Sequence, residues 1–312
     1  MTGPPNRSAG VEETKDGHHM DRLEELRKAI AENTVPGGSA FGRAAAEMIL
    51  LTVQRDGDDT TELRELTDWL VATKPSMTSV RTVARLALDA AAAGNGARVI
   101  SEMKGFIRDS EAAIESVALH ADAHIGSGAR VLFHSFSGSL IQLLTRAAER
   151  TPHLTLLFTE SRPYRESRRI VAALSDYPLD FEGYSDAAVA VAASAADLAV
   201  VGVDALFADG SFANKTGTLP LALACDHVGI PLYAVTEVSK LYAGDPADVA
   251  MEQRPAEEME DGWELAVSKR VTMRNQFFEI TPASLVTAYW TDIGVLRPTE
   301  ISGVTDRGTR VR

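Results

Sequence analysis

At Gly126-Ser127-Gly128 the hydrophobic period of this 312-residue chain changes. Before that point apolar residues recur every three or four positions. After it, short continuous apolar runs alternate with helical text. The first pattern makes amphipathic helices, and the second makes strands buried on both faces. The expected fold is therefore α/β: an N-terminal all-helical domain over 20–129, then a Rossmann-like, doubly wound parallel-sheet domain over 130–312.

Met20 opens the helical text, and Leu23, Leu26 and Ile30 form its first stripe. Pro36-Gly37-Gly38 breaks it, and Ser39 is placed to cap a helix through Arg43, Met48 and Leu51. Further helices follow Asp58-Asp59 and Ser76, and a long one runs from about Ala97 to His124. Residues 1–19 are polar, contain Pro and Gly, and lack the apolar run of a signal peptide. They read as a disordered tail, with Met20 as an alternative start and His18 and His19 as solvated residues. No apolar run reaches the ~20 residues that span a bilayer, so no membrane association is expected.

In the second half, strands fit Arg130–Ser135, Leu154–Thr159, Leu179–Tyr184, Leu198–Gly202 and Pro231–Thr236. Helices fit Ser137–Ala148, Tyr164–Leu174, Asp186–Ala193 and Thr218–Val228. Residues 243–275 are acidic and irregular and read as a solvated surface excursion, before strand-like text returns around Phe277 and Ala288.

The charge balance narrows the function. With 44 Asp and Glu against 31 Lys and Arg, the net charge is −13, which argues against direct nucleic-acid binding. A single cysteine, Cys225, excludes an internal disulfide framework and a multi-thiolate zinc site, and fits a reducing cytoplasm. Neither metal nor cofactor is expected. No G-x-G-x-x-G joins a strand to its helix, so a dinucleotide has no fingerprint here.

In a doubly wound sheet, ligands sit outside the carboxyl ends of the strands. Four segments fall there: His134-Ser-Phe-Ser-Gly-Ser139, Thr159-Glu-Ser-Arg-Pro163, Gly202 to Thr218, and Glu237-Val-Ser-Lys240. The third is the richest. Asp204 ends an apolar strand, where a carboxylate is poorly solvated. Asn214-Lys215 then precedes Thr216-Gly217-Thr218 and a new helix, so amide, ammonium and helix N-terminus are expected to converge on an anion. The bland alternative is that Asp204 caps a turn and Lys215 is a surface cation.

The series His134-Ser-Phe-Ser137, Thr159-Glu-Ser-Arg-Pro163, Val201-Gly-Val-Asp204, Asn214-Lys-Thr-Gly-Thr218, Glu237 with Lys240, and Phe278-Glu-Ile-Thr-Pro282 resembles the translation initiation factor 2B alpha/beta/delta superfamily. That superfamily includes ribose-1,5-bisphosphate and 5-methylthioribose-1-phosphate isomerases. Pro36-Gly-Gly-Ser-Ala-Phe-Gly-Arg43 and Thr73-Lys-Pro75 extend the resemblance into the helical half. It implies a homodimer or larger homo-oligomer and a small-molecule sugar phosphate as ligand. The phosphate turn would be Gly37-Gly38 with Arg43, and Lys74, Ser137, Arg162, Asn214, Lys215 and Lys240 would complete the binding set. Asp204 would be the catalytic carboxyl of an aldose–ketose isomerisation.

The chain departs from the isomerase pattern where the family carries its catalytic cysteine, which is Ser135 here. A thiol titrates near pH 8.5, whereas an unassisted serine hydroxyl is a poor acid or base at neutral pH. Cys225, inside a helix among leucines, is expected to pack rather than to substitute for it. Lys74 also replaces a common arginine, exchanging a bidentate fork for a point charge. Two readings stay open: an isomerase centred on Asp204, with Ser135 positioning substrate or a water, and a non-catalytic regulatory or assembly subunit that senses a sugar phosphate or nucleotide.

Overall fold

The computed structural model describes residues 9–57, 59–259 and 272–304. Among these, five helices precede the first strand: α1 (Ala9–Ala31), α2 (Gly38–Asp56), α3 (Thr60–Thr73), α4 (Thr78–Ala92) and α5 (Gly96–Asp122). Leu26, Ile30, Met48, Ile49, Leu70 and Val83 meet in their shared core. Three helix starts differ from expectation, one of them in the second half, where the helix expected from Tyr164 begins at Arg168. α1 begins at Ala9, eleven residues before Met20, and runs through Gly17 without a break; residues 1–8 of the expected tail lie outside the described residues. α2 begins at Gly38 with Gly37 as its cap, so Ser39 sits inside the helix and its hydroxyl is free for another partner. Asp59 caps α3 as its residue type suggests, accepting from the Thr61 and Glu62 amides.

The strands are β1 (Arg130–His134), β2 (Thr155–Thr159), β3 (Asp180–Tyr184), β4 (Leu198–Gly202), β5 (Ala205–Phe207), β6 (Phe212–Lys215), β7 (Leu232–Thr236), β8 (Leu241–Tyr242), β9 (Gln253–Arg254), β10 (Asn275–Gln276), β11 (Phe278–Thr281), β12 (Ala288–Thr291) and β13 (Gly294–Leu296). The main sheet has the order β13-β12-β7-β4-β1-β2-β3, parallel except for β13 at one edge. Side chains sort by parity, as a pleated strand requires. Val131 and Phe133 pack on one face with Leu156, Val200 and the end of α5, together with α6 (Gly138–Arg150) and α7 (Arg168–Leu174). Leu132, Leu157, Ala199 and Val201 pack on the other with α8 (Val189–Ser194) and α9 (Thr218–Val228). Cys225 is buried on α9 in that second core.

A second sheet, β11-β6-β5-β8, lies beyond the end of β4. The text between Gly202 and Thr218, legible only as a connection, folds into the β5–β6 hairpin of this sheet. The acidic stretch after residue 243 is also more than a solvated excursion. Val249 is buried, β9 pairs with β10, and Arg254 bridges Glu252 and Glu258 at 3.3 and 2.6 Å. Glu260 and Asp261, part of the same expected excursion, lie outside the described residues.

Candidate active site

Strand order reverses between β1 and β4, because the chain leaves β1 toward β2 and leaves β4 toward β7. The crevice outside such a switch point is where open α/β sheets bind ligands. A cavity of about 510 Å³ lies there, and Gly37, Ser135, Glu166, Asp204, Lys215 and the arginines 168 and 169 are among its lining.

The β5–β6 hairpin fixes Asp204, whose backbone N–H donates to Ala213 O at 2.9 Å. Burial pushes its carboxyl up to about 6; Lys240 and Lys215 oppose that rise, and the negative charge of Glu166 adds to it. The first turn of α2 lies directly against it. A Cβ at Gly38 would stand 2.8 Å from Asp204 Oδ1, so a side chain here would push that carboxyl from its position.

Ser135 leaves β1 with φ of 69°, a left-handed conformation that costs a non-glycine residue about 1–2 kcal/mol. Its N–H donates to Ser167 Oγ at 3.0 Å, and its Oγ donates to Glu166 Oε2, also at 3.0 Å. Lys215 Nζ stands 3.1 Å from the same carboxylate oxygen and 3.2 Å from the centre of the Phe277 ring. Burial holds its ammonium below the usual lysine range, against the attraction of Glu166. His134 plays no part in this cluster: it points to the opposite face and bonds Thr159 Oγ1 at 2.6 Å and Thr216 O at 3.0 Å.

Glu237 organises the two glycine-bearing helix starts. It is fully buried; Ser39 of α2 donates to its Oε2 at 2.6 Å, and Ser139 of α6 donates to its Oε1. Lys240 Nζ lies 3.8 Å from Glu237 and donates to Val203 O at 2.8 Å, holding the strand end that presents Asp204. Thus α2, α6 and the β4 terminus are fastened to one buried acid–base pair.

The expected site residues divide into four groups. Gly37, Ser135, Asp204 and Lys215 line the cavity. Gly38, Ser137, Asn214 and Lys240 stand behind that wall. Ser137 caps α6, and Asn214 Nδ2 donates to Thr218 Oγ1 at 3.0 Å. Lys74 is buried beside the cavity, where it donates to the wall residue Asn33, and burial pushes it down to about 8. Arg43 and Arg162 do not join the lining: Arg43 donates to Ser110 on α5 at 3.2 Å, and Arg162 to Met259 O at 3.2 Å. The expected anion site at the start of α9 is occupied from within. Glu279 Oε1 accepts from the Gly217 and Leu219 amides at 2.7 and 2.9 Å.

Sequence reasoning missed Glu166, Arg168, Arg169 and Tyr164. The signal available was the dense positive charge of Arg165-Glu-Ser-Arg-Arg169, immediately after the second strand-end segment. Arg169 lies over the ring of Phe136 at 4.4 Å, and both residues line the cavity. These two arginines provide the positive charge that Arg43 and Arg162 do not.

The site contains no group of three or more metal-ligating side chains among the described residues. What it combines is a carboxyl raised by burial to about 6, a second carboxylate in a hydrogen-bonded pair, and lysine and arginine charge around one cavity. That is the equipment for proton transfer on a small anion.

Proteins similar to this chain match it over most of its length. The ribose 1,5-bisphosphate isomerase of Methanocaldococcus jannaschii is 27% identical over 290 residues, covering 89% of this chain and 92% of that protein. The methylthioribose-1-phosphate isomerase of Gemmatimonas aurantiaca is 29% identical over 315 residues, covering 93% and 88%. The solved structure of the Pyrococcus horikoshii translation initiation factor eIF-2B is 27% identical, covers 89% of this chain and 97% of its own, and superposes with a TM-score of 0.79. The initiation factor 2 subunit family model matches residues 22–298. The chain belongs to the initiation factor 2 subunit family.

Proposed function

We propose that this protein is an aldose–ketose isomerase of a phosphorylated pentose, with a ribose 1,5-bisphosphate-like sugar as substrate. The observation that carries the reading is Asp204: a carboxyl that burial raises to about 6, facing a cavity lined by Lys215, Arg168 and Arg169. Opening the sugar ring requires a proton at the ring oxygen, and a carboxyl still partly protonated near neutral pH can deliver it. The cationic lining suits the phosphate groups, and Gly37 in the cavity wall lets the sugar approach the N-terminal backbone of α2. Two relatives whose names describe sugar-phosphate isomerases, each matched over most of both chains, support the same chemistry. The resemblance also supports a homodimer or larger homo-oligomer, checked by light scattering against the chain mass of 33.5 kDa.

The test offers the purified protein ribose 1,5-bisphosphate and 5-methylthioribose 1-phosphate in parallel, with calorimetric titration for binding and NMR for ketose formation. Turnover of one sugar, abolished in Asp204→Asn, supports the isomerase. Ser135 in the family's cysteine position favours a second reading, a sensor subunit without turnover. Tight binding of either sugar with no ketose from the wild type would select that reading. Neither binding nor turnover would overturn both.

A further inference from the structure

A serine hydroxyl alone cannot do the work of a thiol near neutral pH. The cavity of this chain does not leave it alone. Ser135 Oγ donates to Glu166 Oε2 at 3.0 Å, and Lys215 Nζ forms an ion pair with that same oxygen at 3.1 Å. All three residues line the cavity together with Asp204. The left-handed backbone at Ser135, anchored by its N–H bond to Ser167, fixes where the hydroxyl points. Packing does not require this pair, because both groups are at the cavity wall rather than in any of the apolar cores.

We propose that Ser135 and Glu166 act as one acid–base unit working with Asp204, with the hydroxyl touching the sugar and the carboxylate storing its proton. This rests on the isomerase reading above. As the C1–ring oxygen bond breaks, its electron pair goes to the ring oxygen, which takes a proton from Asp204. The hydrogen on C2 moves with its electron pair to C1, so C1 is reduced and C2 oxidised within one molecule. The C2 hydroxyl becomes the carbonyl; its proton passes to Ser135 Oγ while the proton already on Ser135 passes to Glu166. Asp204 has lost one proton and Glu166 has gained one, and exchange with water resets both. Ser135 is then a catalytic residue, and Glu166 acts through it.

The test compares kcat and KM for ketose formation from ribose 1,5-bisphosphate in the wild type and in Glu166→Gln, Ser135→Ala, the Ser135→Ala/Glu166→Gln double variant and the Ser135→Cys/Glu166→Gln double variant. Each single change is expected to lower kcat by about 10²–10⁴, with KM changed by less than about threefold. The Ala/Gln double variant is expected to be no slower than the slower single variant, because members of one unit do not add. Ser135→Cys is expected to recover at least about tenfold in the Glu166→Gln background, since a thiol titrating near 8.5 accepts the proton without a carboxylate. A structural role for Glu166 would give no such recovery. Glu166→Gln or Ser135→Ala within about threefold of wild-type kcat, or losses that multiply in the double variant, would overturn the proposal. If the wild type makes ketose and Asp204→Asn does not, while Glu166→Gln does, this unit falls and the isomerase stands. If the wild type makes no ketose, both fall.

Discussion

Asp204 concentrates the conflict between stability and chemistry at a single residue. Its folded carboxyl holds a proton up to about 6, whereas an unfolded aspartate titrates near 3.9. Between those values the native state binds more protons than the unfolded state, so stability falls as pH rises through the window. Asp204→Asn removes that cost. The variant is expected to gain about 1–3 kcal/mol at pH 7 and little at pH 4, while turnover falls by about 10²–10⁴. Urea unfolding at the two pH values checks the first part. An Asn variant less stable than wild type at pH 7 would mean that Lys240 and Lys215 hold the carboxylate more strongly than burial penalises it. The identity of this residue was legible in the sequence because it interrupts an apolar strand end. Glu166 was not, because a glutamate between arginines reads as a solvated pair until the fold turns it toward Ser135.

The elements decide the geometry, and glycine decides how closely two of them approach. Helix propensity alone favours alanine over glycine by about 1 kcal/mol within α2. At position 38, however, the added Cβ would stand 2.8 Å from Asp204 Oδ1 and 3.6 Å from Lys240 Cε. Gly38→Ala is therefore expected to keep stability within about 1 kcal/mol and to weaken sugar-phosphate binding at least about tenfold by calorimetry. Unchanged affinity would show that displacing the Asp204 carboxyl does not disturb the bound ligand. Lys240→Met tests the anchor beneath: Glu237 would keep its two serine partners but lose its cation, at a cost of about 3–5 kcal/mol in urea unfolding. The helix and strand succession was readable because each central strand is a short apolar run and each helix a stripe. The β5–β6 hairpin was not, because its three- and four-residue strands carry too few positions to show a period. The start of α9 misled for a different reason. Glu279, which fills it, comes from β11, more than sixty residues away in the chain.

At the scale of the whole molecule, a chain of net charge −13 repels an anionic sugar until the ligand reaches the few cations gathered at the switch point. Binding to the native state alone should then appear as added stability. A sugar phosphate at one hundred times its dissociation constant contributes about 2.7 kcal/mol, a rise of about 4 °C in Tm for a chain of this length. The rise should be lost when Lys215 is changed to methionine; scanning calorimetry with and without the sugar checks it. Binding, however, does not distinguish an isomerase from a sensor. The decisive measurement is ¹³C NMR of ribose 1,5-bisphosphate labelled at C1, incubated with the wild type and with Asp204→Asn. The wild type is expected to move the label from the anomeric position to the phosphorylated methylene of a ketose, and Asp204→Asn to leave it anomeric. A label that stays anomeric with the wild type, or moves equally with both proteins, would contradict Asp204 as the proton donor of an isomerase.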